Sequence, residues 1–304
     1  MNHQDTSGGG RRSWPTGLRW SVAGAALSAT LVAGAACSGS IEVPALNPTP
    51  TGQYHTGQVV WHDLVTPDVE AAKKFYGGLF GWTFQTIESN GIEYAIAMIG
   101  PRPVAGFYRP EDKTYSAAEW LQFFSVDDVD AAVARVATAG GTMIAEPDDI
   151  PQRGRLAVVE DREGAAFGVI RSASGDPAAG ISSPHNDFLW NELWTNDMAA
   201  AGSFYEAAVG LDSRIAPREN GDYLLFTHGG ERRAGGLEIP QANIEPTWIP
   251  TIRVADIKAT VARAKQLGGE IALEPRWDLV DGKVAIIVDP NGAPVTVRQW
   301  EGQP

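Results

Sequence analysis

The sequence predicts an α+β protein built from two tandem copies of one module. Three observations carry that expectation. The chain has 304 residues, the length of about two domains. Paired motifs recur in the same order at an offset of about 128–130 residues. Within each copy, apolar residues follow a strand period and then a helix period, twice over.

The first copy opens with Trp61-His-Asp-Leu-Val-Thr-Pro-Asp68, followed by Phe75-Tyr76 and Gly81. The second opens with Trp190-Asn-Glu-Leu-Trp-Thr-Asn-Asp197, followed by Phe204-Tyr205 and Gly210. Trp120 answers Trp248, Gly140-Gly141 answers Gly268-Gly269, and Glu146-Pro147 answers Glu274-Pro275. The closing hairpins match as Asp161-Arg-Glu-Gly164 and Asp289-Pro-Asn-Gly292. Two unrelated domains would not keep so many pairs in one order.

In the first copy, residues 59–65 alternate as a strand. Asp68 then caps a helix with Ala71, Ala72, Phe75, Tyr76 and Leu79 on one stripe, and Gly81 ends it. Strands follow over 94–99, 103–108 and 121–126. Asp128 caps a second helix with Val129, Val133 and Val136 on one face, stopped by Gly140-Gly141. Strands over 142–146, 155–160 and 166–171 close the copy. The domain reading is 57–173 for the first module, 174–186 for a linker and 187–302 for the second module.

Composition narrows the functional classes. Apolar residues make up 43 % of the chain, enough for a packed core rather than wholesale disorder. Lys and Arg number 24 against 37 Asp and Glu, a net charge of −13. So acidic a chain is poorly suited to nucleic acid, which calls for a basic face. The single Cys, Cys37, excludes an internal disulfide and a cysteine-based zinc cluster.

The N-terminal segment reads as an export signal over 1–36 and a Pro/Gly-rich flexible tether over 37–56. Arg11, Arg12 and Arg19 precede an uncharged small-residue run from Trp20 to Ala36. That run is short for a membrane span, although an uncleaved anchor is the alternative. Gly34-Ala35-Ala36-Cys37 resembles a bacterial lipoprotein signal, in which Cys37 is lipidated and becomes the mature N-terminus. It departs from that pattern at Gly34, which leaves plain cleavage at Ala33-Gly34-Ala35 open. Arg11-Arg12 resembles a twin-arginine signal, with Pro15 as the departure. Loss of residues 1–36 removes three Arg and Asp5, leaving a net charge of −15. The expected location is outside the cytoplasmic membrane, held by lipid at Cys37 or secreted.

The motifs Trp61-x-Asp-Leu-x-Thr-x-Asp68, Phe75-Tyr76 and Leu79-Phe-Gly-Trp82, repeated around Trp190 and Phe204-Tyr205, resemble the vicinal oxygen chelate superfamily. That group includes glyoxalase I, bleomycin-resistance proteins and extradiol dioxygenases. The resemblance covers about 57–173 and 187–302. It implies paired βαβββ units in each module, with a curved mixed sheet forming a cup, and an intramolecular pseudo-dimer of modules. Enzymes of the family hold a divalent metal in the cup with His and Glu. Carried onto this sequence, those positions hold Trp61, Leu121 and Gly168 in the first copy, with the fourth near Tyr108. In the second they hold Trp190, Ile249 and Thr296, with the fourth near Glu238. Indole, aliphatic groups and glycine do not bind a hard cation.

Five His offer little replacement. His3, His55 and His185 fall in the leader, the tether and the linker. Alternation turns His62 away from Trp61, against the helices, and His228 ends a strand. Glu192, Glu238 and His228 are the remaining metal candidates. What the cups do offer is an aromatic wall beside one carboxylate: Trp61, Asp63 and Phe123 in the first, and Trp190, Glu192, Trp194, Thr251, Thr296 and Arg298 in the second. This suits a small organic ligand, aromatic or cationic, although the same tryptophans could simply fill a core. Asp63 and Glu192 are the acid–base candidates if the protein is an enzyme.

Three readings follow. The leading one is an exported small-molecule binder with no cofactor, similar to the metal-free bleomycin-resistance branch. The second is a metal-dependent lyase, hydroxylase or dioxygenase with a rearranged ligand set. The third is a surface interaction module.

Overall fold

The computed structural model describes residues 43–89, 92–110, 115–178, 183–218, 221–240 and 244–301. The expected signal over 1–36 and Cys37 lie outside the described residues. The first module runs β1 (Val59–Val65), α1 (Val69–Phe80), β2 (Thr83–Ser89), β3 (Ile92–Ile99), β4 (Arg102–Tyr108), β5 (Glu119–Ser125), α2 (Val129–Thr138), β6 (Thr142–Ile150), β7 (Gly154–Glu160) and β8 (Ala166–Ser172). The second repeats this order: β9 (Phe188–Thr195), α3 (Met198–Val209), β10 (Asp212–Arg218), β11 (Gly221–His228), β12 (Glu231–Glu238), β13 (Thr247–Val254), α4 (Ile257–Gln266), β14 (Glu270–Leu273), β15 (Val284–Val288) and β16 (Pro294–Gln299).

Local chemistry explains the helices. Asp68, Asp128, Asp197 and Asp256 each cap one, accepting from backbone N–H groups at the helix start. Gly81 and Gly210 end α1 and α3 in the left-handed conformation, at φ 73° and 81°. The edge strand β2 was not legible in the sequence. It is short of apolar residues and largely exposed, so it lacks the alternation of a half-buried strand.

Each module forms one mixed sheet of two βαβββ units, in the order β2-β3-β4-β1-β5-β8-β7-β6 and β10-β11-β12-β9-β13-β16-β15-β14. The units join antiparallel at the centre, β1 on β5 and β9 on β13. Each central strand pairs in parallel with the last strand of its own unit.

The two sheets pack through one face, with the helices beside that contact. One core joins α1 and the first half of the first sheet to α4 and the second half of the second sheet. Its pseudo-symmetric counterpart joins α2 and α3. The modules therefore form a pseudo-dimer, and equivalent residues meet across its axis. His62 Nε2 lies 2.8 Å from Asn191 Oδ1, and the two residues are 129 positions apart. Trp248 Nε1 donates to Tyr205 Oη at 2.7 Å, and Tyr205 donates to Asp161 of the other module at 3.0 Å. Trp120 Nε1 donates to Tyr76 at 3.1 Å, and Tyr76 lies near Asp289 of the other module. Burial holds Asp289 up at about 6.

Two expectations are corrected here. His62 does face away from Trp61, but it meets the opposing sheet rather than the helices, stacked on Phe188 with 3.7 Å between ring centres. Residues 43–56 are not a free spacer. Val43 and Leu46 are buried in the cluster that holds Trp61, Tyr94 and Phe123. Asn47 Nδ2 donates to Gly175 O at 2.7 Å, Thr51 N to Ser174 O at 2.8 Å, and His55 N to Asp176 Oδ2 at 2.7 Å. The strap has no periodicity because its backbone is satisfied by residues 174–176 rather than by a ladder of its own.

Burial lowers the His62 pKa to about 4, against 6.5 for a free imidazole. Between those values the unfolded chain binds a proton that the folded one refuses, so His62 disfavours folding as pH falls. The stability of wild type relative to His62→Gln should drop by roughly 3 kcal/mol from pH 7 to pH 4. Urea unfolding at both pH values measures this, and an unchanged difference contradicts the assignment.

Candidate functional site

The outward face of each sheet forms a cup, and strand alternation sets its contents. In the first sheet, Trp61 pairs with Phe123, Asp63 with Leu121 and Gly106, and Phe123 with Gly168. In the second, Trp190 pairs with Thr251, Glu192 with Ile249 and Gly235, and Thr251 with Thr296.

Each cup contains the same hydrogen-bonded group. In the first, Trp61 Nε1 donates to Asp63 Oδ1 at 2.7 Å, and Tyr94 Oη donates to the same oxygen at 2.7 Å. In the second, Trp190 Nε1 donates to Tyr223 Oη at 2.9 Å, which donates to Glu192 Oε1 at 2.9 Å. A glycine makes room for each tyrosine. A Cβ on Gly106 would lie 1.8 Å from Tyr94 Oη, and one on Gly235 would lie 1.9 Å from Tyr223 Oη.

Burial pushes both carboxyls above their ordinary range, opposed first by the tyrosine hydrogen bond. Arginines oppose it further: Arg153 beside Asp63, and Arg298 and Arg218 beside Glu192. Arg218 lies over the Tyr223 ring at 3.5 Å, and Arg298 lies 4.6 Å from the ring centre of Trp300. Arg298 Nε is buried without a hydrogen-bond partner.

The cups differ in access. Trp61, Phe123 and Asp63 are buried beneath the strap's cluster. Trp190, Glu192 and Arg298 are half-buried. Trp194 is 2 % exposed, in an apolar cluster with Ile249 and Ile286, and forms floor rather than wall. Thr251 and Thr296 are buried side by side on β13 and β16.

The positions implied for a metal do not fit one. Trp61 and Trp190 are committed to the hydrogen bonds above. Gly168 is covered by Phe123, whose ring carbon lies 2.1 Å from where a Cβ would stand. The expected equivalence of Tyr108 and Glu238 is one residue out of register: Tyr108 pairs with Val65, and its counterpart Leu237 pairs with Trp194. A shift of one turns a side chain to the other face, so exposed Glu238 lies in the opposite phase from Glu192. His228 shares the inward phase of Leu224 and Phe226, and its Nδ1 lies 2.8 Å from Gly210 O. The Glu192, Glu238 and His228 set is therefore not assembled. Among the described residues no group of three His, Cys, Asp or Glu is arranged to hold a metal ion.

Tyr94, Tyr223, Gly106, Gly235 and Arg153 were missed from sequence. The first four were within reach, because the 129-residue offset pairs Tyr94 with Tyr223 and Gly106 with Gly235. Arg153 has no such counterpart, since it comes from the turn after β6 whereas Arg298 comes from β16.

The sequence profile of the Glyoxalase/Bleomycin resistance protein/Dioxygenase superfamily matches residues 55–169. The anthracycline biosynthesis protein DnrV of Streptomyces peucetius is 35 % identical over 273 residues, 83 % of this chain and 97 % of that protein. Protein CFP32 of Mycobacterium tuberculosis, whose name assigns it provisionally as a glyoxylase, is 34 % identical over 248 residues, 79 % and 94 % of the two chains. Among solved structures, the Mn(II)-bound glyoxalase from Novosphingobium aromaticivorans aligns at TM-score 0.53 and 14 % identity, covering 82 % of this chain and 86 % of that one. The 2,2',3-trihydroxybiphenyl 1,2-dioxygenase from Sphingomonas wittichii aligns at 0.55 and 13 %, covering 82 % and 92 %. At such identity these structures speak to the fold alone.

The close fit over Gly235 has a measurable consequence. Gly235→Ala drives Tyr223 off Glu192 and should lower stability by about 1–3 kcal/mol. Denaturant unfolding reads this, and a variant as stable as wild type would remove the tyrosine–carboxylate contact from the account.

Proposed function

Because the chain belongs to the Glyoxalase/Bleomycin resistance protein/Dioxygenase superfamily, we propose that its second cup binds a flat, oxygen-bearing aromatic molecule through protein side chains. The observation that carries this reading is the Trp190–Tyr223–Glu192 group, half-open to solvent, with a buried unpartnered Arg298 nitrogen beside it.

Each part has a task. Trp190 supplies flat apolar surface for stacking. Tyr223, itself held by Trp190, donates to one oxygen of Glu192, which fixes the carboxylate as an oriented acceptor for a ligand hydroxyl. Arg298 brings a donor for a carbonyl or phenolic oxygen, and the Nε unmet in the free protein gives such an oxygen reason to bind there. Two arginines against one carboxylate make the cup net basic, so a cationic ligand is disfavoured locally despite the acidic chain. Relationship to a protein named for anthracycline biosynthesis supports a planar ligand. The reading includes export: the run from Trp20 to Cys37 supports a protein held outside the cytoplasmic membrane through lipid on Cys37.

Titration with 1,4-dihydroxyanthraquinone tests the cup, with the dye's own absorbance as readout. Wild type should bind saturably. Trp190→Ala and Glu192→Gln should each weaken binding by about tenfold, the worth of a stacking contact or a charge-assisted hydrogen bond. Equal affinity in all three proteins would sink the proposal.

A further inference from the structure

The first cup buries a cation whose two terminal nitrogens are left without hydrogen bonds. Arg153 is 3 % exposed, in the turn between β6 and β7. Its guanidinium lies 3.9 Å from the centre of the Trp61 ring. Both Nη atoms are buried and have no hydrogen-bond partner. Asp63 shares the cup and its charge favours the guanidinium, but its Oδ1 accepts from Trp61 and Tyr94 and no hydrogen bond joins it to the Arg153 Nη atoms. A guanidinium does not shed its proton at any ordinary pH, so it stays charged where it is. Burying such a charge with its donors unmet is costly, and the cost is relieved only by a partner.

The geometry describes that partner. Two nitrogens on one planar fork match the two oxygens of a carboxylate. Trp61, against which the guanidinium lies, belongs to one apolar cluster with Phe123, Leu121 and Ile170, so the rest of the molecule is apolar. Val43 and Leu46 of the strap occupy the same cluster, so its body is small. We propose that Arg153 anchors a small apolar monocarboxylate in the first cup, at a site separate from the second-cup ligand.

The test is thermal unfolding of the full chain in sodium benzoate against sodium chloride of equal ionic strength. Benzoate should raise the Tm of wild type saturably, and that of Arg298→Met equally. Arg153→Met should not respond. Without benzoate, Arg153→Lys should melt close to wild type, because it keeps a cation beside Asp63. Arg153→Lys keeps the charge but loses the fork, and should weaken benzoate at least tenfold. Inorganic phosphate should give no saturable shift in any of them. The proposal is overturned if wild type shows no saturable shift, if Arg153→Met still responds, or if phosphate acts like benzoate. It is also overturned if Arg153→Lys responds to benzoate as wild type does, and this arm decides the question if Arg153→Met does not fold. Failure of the second cup to bind anthraquinone leaves this result untouched, and the Arg298→Met arm keeps the two apart.

Discussion

On β1, His62 and Leu64 face the other sheet while Trp61, Asp63 and Val65 face the first cup. On β9, Asn191 and Leu193 face inward while Trp190, Glu192 and Trp194 face the second cup. The rest of the structure depends on this two-residue alternation in a pair of equivalent strands. One phase builds the contact that makes two modules into one body. The other builds two concave faces that point away from it. A register slip of one residue in either strand would bury a carboxylate between the sheets and expose a leucine in a cup. The His62–Asn191 contact across the axis resists such a slip, because each polar atom is satisfied only when the strands are in phase.

Duplication preserved the acceptor and let the cation drift. Both cups keep tryptophan, carboxylate, tyrosine and glycine at the same offset. Their arginines come from different elements, the turn after β6 in one and strands β10 and β16 in the other. Their cover differs too. The strap's Val43 and Leu46 share the first cup's cluster, while Trp190 and Glu192 in the second stay half-buried. Two cups with one acceptor, different donors and different access present different chemistry.

Much of the fold was legible because its signals are local. Asp68 and Asp128 cap α1 and α2, and Gly81 ends α1, where the sequence put them. The repeat gave the two modules, and the family resemblance implied their pseudo-dimer. The edge strand β2 escaped because exposed edges carry no alternation. The strap escaped because its order comes from residues about 120 positions away, which no window sees. In the site, Trp61, Asp63, Trp190 and Glu192 were readable from β1 and β9 alone. Arg153 was not, since a turn residue's direction is set by tertiary packing. Glu238 was misplaced because its register on β12 was counted one residue out.

The central claim is that the cups act through aromatic, carboxylate and guanidinium groups, with no metal-ligand set in either. The measurement that meets it most directly is the metal content of the purified chain, by plasma mass spectrometry, before and after incubation with Zn, Ni, Mn and Fe(II). The account predicts less than about a tenth of a metal per chain under every condition. Close to one per chain would contradict it, and would require donors that the described residues do not bring together.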